Sequence, residues 1–149
     1  MGSTYFKIWM HIVFGTKERR PLIDDEWRAR LHDYLGGCIR TAKGVSEAIG
    51  GTRDHVHILA SLRPVHSLSD FMREIKAVSS LWVHEEIGSA GFGWQEGYGA
   101  FSVSESNVGA VRRYVQNQEE HHRVRTFDEE WATLLAKHRI ELKPFDTRG

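Results

Sequence analysis

This sequence has few cysteines and prolines, and it has no excess of either charge. Its 149 residues include one cysteine, Cys38, and three prolines, and 20 Lys and Arg balance 20 Asp and Glu. One cysteine excludes an intrachain disulfide and a cysteine-based zinc cluster, and such low usage is typical of a reducing compartment, so we predict a cytoplasmic protein. The balanced charge excludes a protein that binds polyanions through a large positive field, so any contact with nucleic acid must be local.

Long hydrophobic runs are also missing. The longest apolar stretch near the start, from Ile8 to Phe14, contains His11 and is far shorter than the ~20 residues that cross a bilayer. We therefore predict no membrane partner. What the sequence does have is 40% hydrophobic residues, including five Trp and seven Phe, which is enough for a packed core. We predict one domain over residues 1–149.

Hydrophobic periodicity predicts the order of the elements. Alternation over residues 5–14 is typical of a half-buried strand, and Thr126 followed by Glu129 forms a capping box that begins a last helix. The other predicted elements are a helix after 25 that ends near 44, strands over 45–51 and 55–62, a helix from 67–69 to about 88, a strand over 101–104 and a helix from 106–107 to about 122. The order predicts an α+β, ferredoxin-like (βαββαβ) fold, a four-stranded antiparallel sheet with two helices on one face and additional C-terminal helices.

Two histidines, His55 and His57, lie two residues apart in the strand predicted over 55–62. Alternate residues of a strand leave the same face, so both imidazoles can reach one divalent ion. With 9 His in the chain, a His-x-His pattern also arises by chance. The pair alone does not distinguish a metal site from two ordinary histidines.

Tyr114 and Gln118 lie four residues apart, on one face of the helix predicted to end near 122. A Gln side-chain oxygen can complete a site of two imidazoles for Mg²⁺ or Mn²⁺, and a tyrosine one turn away would face whatever the ion holds. A tyrosine oxygen can attack a metal-bound phosphodiester, and a free hydroxyl can later reverse that attack. The alternative is that Tyr114 is a half-buried packing residue with its hydroxyl satisfied.

Four segments together resemble one known family. They are 54–59 (DHVHIL), 75–80 (IKAVSS), 94–104 (WQEGYGAFSVS) and 114–122 (YVQNQEEHH). In this order they resemble the single-tyrosine HUH transposases of small, hairpin-ended bacterial insertion sequences, the IS200/IS605-like family, over nearly the whole chain. The resemblance implies a metal-dependent DNA transposase and endonuclease that cleaves single-stranded DNA at hairpin-marked ends, forms a 5′-phosphotyrosine intermediate and rejoins the strands.

The resemblance also implies roles for particular residues. It makes His55, His57 and Gln118 the ligands of a divalent metal, Mg²⁺ or Mn²⁺, and Tyr114 the nucleophile. It implies single-stranded DNA hairpins as partners and a homodimer, in which the tyrosine helix of one subunit can complete the metal site of the other. The basic residues that we predict to contact DNA, from local patches or from the family pattern, are Lys17, Arg19, Arg20, Lys76, Arg112 and Arg113.

Three alternatives stay open on the sequence. Tyr98 is a reserve nucleophile, although it lies in a Gly-rich segment without a partner four residues away. A catalytically silent module that binds hairpins or single-stranded nucleic acid would use the same sheet, with the histidines as surface or base-stacking residues. A metal-dependent phosphodiesterase for small molecules is disfavoured, because the usual second histidine motif of such folds is absent.

Overall fold

The computed structural model describes residues 2–63 and 67–141, so the ends of the domain predicted over 1–149 lie outside the described residues. Its strands are β1 (Trp9–Gly15), β2 (Val45–Gly51), β3 (His55–Ser61) and β4 (Gly99–Val103). Its α-helices are α1 (Arg28–Thr41), α2 (Leu68–Trp82), α3 (Val108–Gln116), α4 (Gln118–His121) and α5 (Phe127–Lys137). No helix within these described ranges is both long and apolar enough to span a bilayer.

The four strands form one antiparallel sheet in the order β2-β3-β1-β4. β3 pairs with β1 from Gly15 opposite His55 to Trp9 opposite Ser61, and β1 also pairs with β4. The two strands next to each other in the middle are therefore β3 and β1, which lie far apart in the chain. This arrangement confirms the predicted ferredoxin-like α+β fold with additional C-terminal helices.

One face of the sheet packs against α1 and α2. Ile12 and Phe14 of β1 and Val56 and Ile58 of β3 are fully buried there. The two helices contribute the apolar residues of their inner faces to the same cluster: Leu31, Leu35, Ile39, Phe71, Met72 and Ile75. The predicted amphipathic stripes of these two helices are thus the ones that form the main core.

The other face of the sheet is also covered, which corrects the prediction that β1 is half-buried. Trp9, His11 and Val13 point away from the main core, yet at most 6% of each is exposed. Val108 and Val115 of α3 pack near Trp9, and Trp131, Leu134 and Leu135 of α5 pack on Val13 and Phe101. The alternation predicted one solvent-facing side because Lys7, Trp9 and His11 are polar or amphipathic. Lys7 is exposed, but the packing of α3 and α5 buries Trp9 and His11.

The start of the first strand and the continuity of the helix predicted to reach about 122 differ from the predictions, whereas the helix end predicted near 88 is confirmed. β1 begins at Trp9 rather than at residue 5. The helix predicted to run to about 122 is broken at Asn117, whose φ of −106° and ψ of 32° separate α3 from α4. α2 continues as a π-helical turn over Val83–Ile87 and stops at Gly88, whose φ of 86° is in the left-handed region.

Candidate active site

The two predicted histidine ligands lie side by side on β3, on the face covered by α3 and α5. His55 and His57 are each fully buried, and their ring centroids are 5.1 Å apart. Because β3 lies between β2 and β1, backbone hydrogen bonds on both edges hold the positions of these two side chains. The strand prediction therefore places the pair correctly.

The neighbours of His55 determine which of its ring nitrogens carries the proton. Nδ1 lies 2.7 Å from Asp54 Oδ1 and 3.0 Å from Thr52 Oγ1, so Nδ1–H donates to the carboxylate. In the neutral ring Nε2 is then an unprotonated nitrogen with a lone pair. That nitrogen lies 3.1 Å from Gln118 Oε1. The Gln118 amide nitrogen donates to the Tyr114 carbonyl at 3.1 Å, so it is the oxygen of Gln118 that faces His55.

His57 has the opposite arrangement of protons. Its Nδ1 lies 2.7 Å from His11 Nε2 and its Nε2 lies 2.9 Å from Glu130 Oε1. Burial lowers the pKa of His57 to about 4 despite the neighbouring Glu130 carboxylate, and burial together with His57 lowers the pKa of His11 to about 3. Both rings are therefore neutral at physiological pH, which is the form that binds metals.

Tyr114 reaches the same place from α3. Its ring centroid is 5.7 Å from that of His57 and 6.0 Å from that of His11. The close approach of α3 requires a glycine, because a Cβ on Gly50 would lie 1.8 Å from the carbonyl oxygen of Val115. Burial and a hydrogen bond to Glu130 raise the pKa of the Tyr114 hydroxyl, so it is protonated at rest.

A carboxylate that the sequence analysis did not single out lies at the centre of the site. Glu130 of α5 is buried, its Oε2 accepts a hydrogen bond from the Tyr114 hydroxyl, and its Oε1 lies 3.2 Å from His122 Nε2. Burial alone raises the pKa of Glu130, but hydrogen bonds from His122, His57 and Tyr114 outweigh it and lower that pKa. The hydrogen bond to Glu130 raises the pKa of His122.

A sequence signal for Glu130 existed. The residue lies three positions after Phe127 and four before Leu134, which places a charged group on the apolar face of α5. A carboxylate is rarely buried unless it is paired, so such a position indicates a partner inside the protein. His122 lay within one of the segments that carried the family resemblance but had no role there.

The basic residues predicted to contact DNA are dispersed. Lys17, Arg20 and Arg113 are exposed, whereas Arg19 pairs with Asp128 of α5 and its guanidinium lies 5.1 Å from the Phe127 ring centroid. The Arg112 guanidinium is bound by Glu47. Lys76 is half-buried, and its ammonium group donates to the carbonyls of Gln95, Glu96 and Gly97 at 2.6–3.2 Å. Lys76 thus links residues 95–97, in the Gly-rich segment, to α2 by hydrogen bonds.

Tyr98, the reserve nucleophile, is located elsewhere. It packs against the main core on the face of α1 and α2, and the Lys76 ammonium lies 5.6 Å from its ring centroid. The site histidines are on the opposite face of the sheet. The geometry therefore favours Tyr114.

A cleft of about 730 Å³ lies beside the site. His122 and Asp54 contribute to its wall, as do four arginines: Arg28, Arg53, Arg123 and Arg125. Three of the arginines are paired with acids, since Asp25 pairs with both Arg28 and Arg53 and Glu120 pairs with Arg123. Four carboxylates, those of Asp25, Asp54, Glu119 and Glu129, line the same cleft, so its wall beside His122 carries charges of both signs.

The fold and these side chains define a class of protein, an α+β domain in which a His-x-His pair on a central strand faces a tyrosine helix. The profile of the family described as "Transposase IS200 like" matches residues 4–118. The chain is 31% identical over 125 residues to the transposase for insertion sequence element IS200 of Salmonella typhimurium, across 79% of this chain and 81% of the relative. It is 23% identical over 120 residues to the ISDra2 transposase TnpA of Deinococcus radiodurans, across 76% and 85%.

Solved structures give the same assignment of fold. A candidate transposase from Deinococcus radiodurans has a TM-score of 0.62 and 26% identity, covering 79% of this chain and 96% of that one. A REP-associated tyrosine transposase bound to a REP hairpin has a TM-score of 0.56 and 16% identity, covering 77% and 68%. The protein belongs to the IS200-like transposase family and is a single-tyrosine transposase. The family match ends at Gln118, so His122 and Glu130 lie beyond it.

Proposed function

We propose that this transposase cleaves and rejoins single-stranded DNA at hairpin-marked ends, with Tyr114 as the nucleophile and His55, His57 and Gln118 as ligands of a divalent metal, Mg²⁺ or Mn²⁺. The observation that carries the proposal is the meeting of two imidazoles, an amide oxygen and a tyrosine on one buried face of the sheet. All four residues come from the two sequence motifs, and together they supply metal ligands and a nucleophile for a metal-assisted phosphoryl transfer.

The donor set fits a cation. His55 Nε2 and Gln118 Oε1 lie 3.1 Å apart with their lone pairs facing each other, because His55 donates from Nδ1–H to Asp54 and the Gln118 amide nitrogen donates to the Tyr114 carbonyl. A cation between them would satisfy both atoms. The hydrogen bond from His55 Nδ1–H to Asp54 is also the usual orientation of a metal-bound histidine. A divalent ion here would neutralise charge on the scissile phosphate and polarise its phosphorus.

Tyr114 supplies the covalent step. Its Oη forms a bond to phosphorus, the bond from phosphorus to the 3′ oxygen breaks, the phenolic proton leaves, and the 3′ oxygen departs as a hydroxyl after gaining a proton. The product is a 5′-phosphotyrosine, and attack by a 3′ hydroxyl on that ester rejoins strands without an external energy source. The hydrogen bond to Glu130 holds the hydroxyl in the site until DNA arrives.

The proposed substrate is a DNA hairpin with a single-stranded flank. Support comes from the relative that was solved bound to a REP hairpin and from the cleft with four arginines beside His122. Exposed Lys17, Arg20 and Arg113 are the remaining predicted contacts outside that cleft. We also propose a homodimer and a cytoplasmic location, as the family resemblance and the single cysteine predict.

The first prediction concerns the nucleophile. Tyr114→Phe should lose the protein-linked DNA band on a denaturing gel completely, because phenylalanine has no oxygen to attack phosphorus. The assay uses labelled single-stranded DNA rich in hairpins, with Mg²⁺ or Mn²⁺, and the band should also vanish with chelator and with His57→Ala. Tyr98→Phe is the matched control and should retain the band.

A covalent band in Tyr114→Phe that disappears in Tyr98→Phe would reverse the assignment. If wild-type protein shifts hairpins on a native gel, with or without chelator, but never forms a covalent band, the protein binds DNA without cleaving it.

A further inference from the structure

Two side chains beyond the family match converge on the proposed metal site. Glu130 Oε1 lies 2.9 Å from His57 Nε2, 3.2 Å from His122 Nε2 and 3.6 Å from His55 Nε2. One ligand atom from each of His55, His122 and Glu130 lies within 4.8 Å of the other two. Glu130 comes from α5 and His122 from the turn after α4.

The separations are those of neighbouring ligands around one ion. Two ligand atoms that are each about 2.1 Å from a metal lie about 3.0 Å apart at 90° and about 3.4 Å apart at a tetrahedral angle. Glu130 Oε1 is 2.9–3.6 Å from the three imidazoles, and His55 Nε2 is 3.1 Å from Gln118 Oε1. These distances are close to those expected for ligands of one ion. The atoms would therefore need little displacement to surround an ion.

Hydrogen bonds alone leave this cluster incomplete. Glu130 Oε1 accepts from His57 and His122, but His55 Nε2 faces two oxygens, Gln118 Oε1 and Glu130 Oε1, and in the neutral ring that donates to Asp54 from Nδ1 it has no proton to offer them. A buried nitrogen lone pair that meets only acceptors is unfavourable. A cation shared by these atoms removes that conflict.

We propose that His122 and Glu130 are metal ligands, so that the proposed ion is bound by three imidazoles and one carboxylate together with Gln118, and that this set favours Mn²⁺ over Mg²⁺. Imidazole is a better ligand for transition metals than for Mg²⁺, which retains water and prefers oxygen. Only Oε1 of Glu130 is needed as a ligand. Oε2 keeps its hydrogen bond from the Tyr114 hydroxyl. The Glu130 carboxylate would therefore contact both the ion and the nucleophile.

The inference rests on the proposed metal site and is tested by metal affinity rather than by DNA cleavage. Full-length protein is titrated first with Mn²⁺ alone and then with Mg²⁺ as a competitor, and the free Mn²⁺ is followed by its EPR signal. Glu130→Gln and His122→Ala should each weaken Mn²⁺ binding at least tenfold, and His122→Ala should also narrow the preference for Mn²⁺ over Mg²⁺. Glu120→Gln, an exposed carboxylate of α4 that pairs with Arg123, is the matched control and should bind as wild type.

The outcomes separate this inference from the proposed function. Normal Mn²⁺ binding by both variants, with loss in His57→Ala, would overturn the inference and leave the smaller site of His55, His57 and Gln118. Loss in only one variant would overturn the assignment of the other residue. If wild-type protein binds neither ion, the metal-dependent function fails and the inference fails with it. Thermal unfolding in chelator checks that each variant is folded. If Glu130→Gln does not fold, His122→Ala, which truncates a less buried side chain, still tests the inference.

Discussion

At the scale of single residues, neighbours decide what each histidine can do. His55 and His57 are equally buried and lie two positions apart, yet their partners differ. Nδ1–H of His55 donates to Asp54, whereas Nδ1 of His57 faces His11 and its Nε2 faces Glu130. The same side chain is therefore presented in two tautomers within one site. The composition of 9 His carried none of this information, because a tautomer depends on contacts across the fold.

His32 provides a residue-scale prediction away from the site. Burial and the positive charge of Arg28 lower its pKa to about 4, and its Nε2 has no hydrogen-bond partner. Since the pKa is lowered on folding, the neutral ring contributes stability that is fully present above about pH 6.5 and is lost as pH falls toward about 4. Between pH 7 and pH 4 we expect wild type to lose about 3 kcal/mol more unfolding free energy than His32→Leu does.

Urea unfolding of both proteins at several pH values measures this difference, and the other buried histidines cancel in the comparison. Parallel pH profiles for wild type and His32→Leu would contradict the prediction, because they would mean that folding does not change the pKa of His32.

At the scale of elements, the approach of α3 to the sheet determines where Tyr114 lies. Gly50 is opposite His57 in the pairing of β2 with β3. The carbonyl oxygen of Val115 occupies the space that a Cβ on Gly50 would need. The break at Asn117 then turns Gln118 inward, where it is 1% exposed. In a continuous helix Tyr114 and Gln118 would have the same spacing. The chain from Gln118 to His122 would, however, run in a different direction from the one that α4 takes.

Gly50→Ala should therefore damage stability and catalysis together. The new Cβ would displace α3, so we expect a loss of about 1–3 kcal/mol in unfolding free energy, as for other overpacked positions, and a weaker covalent DNA band because Tyr114 moves with Val115. The matched control is Gly91→Ala, where a Cβ has nothing within 4 Å. Equal stability and equal band intensity in the two variants would mean that α3 does not depend on this contact.

At the scale of the whole molecule, one chain supplies every group of the candidate site. β1, β3, α3, α4 and α5 each place a side chain there, and the described residues form one sheet with helices on both faces. A shared site between subunits, which the family resemblance raised, is therefore not needed to bring Tyr114 beside His57.

Mixing two inactive variants tests this arrangement. Tyr114→Phe and His57→Ala each lack one essential group, so a site built within one chain should stay inactive when the two are refolded together. Light scattering should show in parallel whether the protein is the homodimer that we propose. Recovery of a substantial fraction of the covalent band, up to about a quarter of the wild-type intensity if subunits exchange freely, would show that the tyrosine of one subunit serves the histidines of another.

Much of the fold was predictable because its signals are local. Alternation in 55–62, the stripes of α1 and α2 and the capping box at Thr126 each depend on neighbours in sequence, and the structure has all of them. The order of strands followed from these elements. The covering of the second face was not predictable from β1 alone, since burial of His11 requires α3 and α5 to return to the sheet.

The sequence by itself determined the chemistry that this protein has available: a histidine pair on one strand face and a tyrosine and a glutamine one helical turn apart, in the order of its family. Only the tertiary structure decided that Glu130, sixteen residues after Tyr114, accepts a hydrogen bond from the hydroxyl of that tyrosine and from His57 and His122. The physical reason is that spacing along one element fixes which side chains share a face, whereas contacts between elements depend on how the apolar faces of separate helices pack.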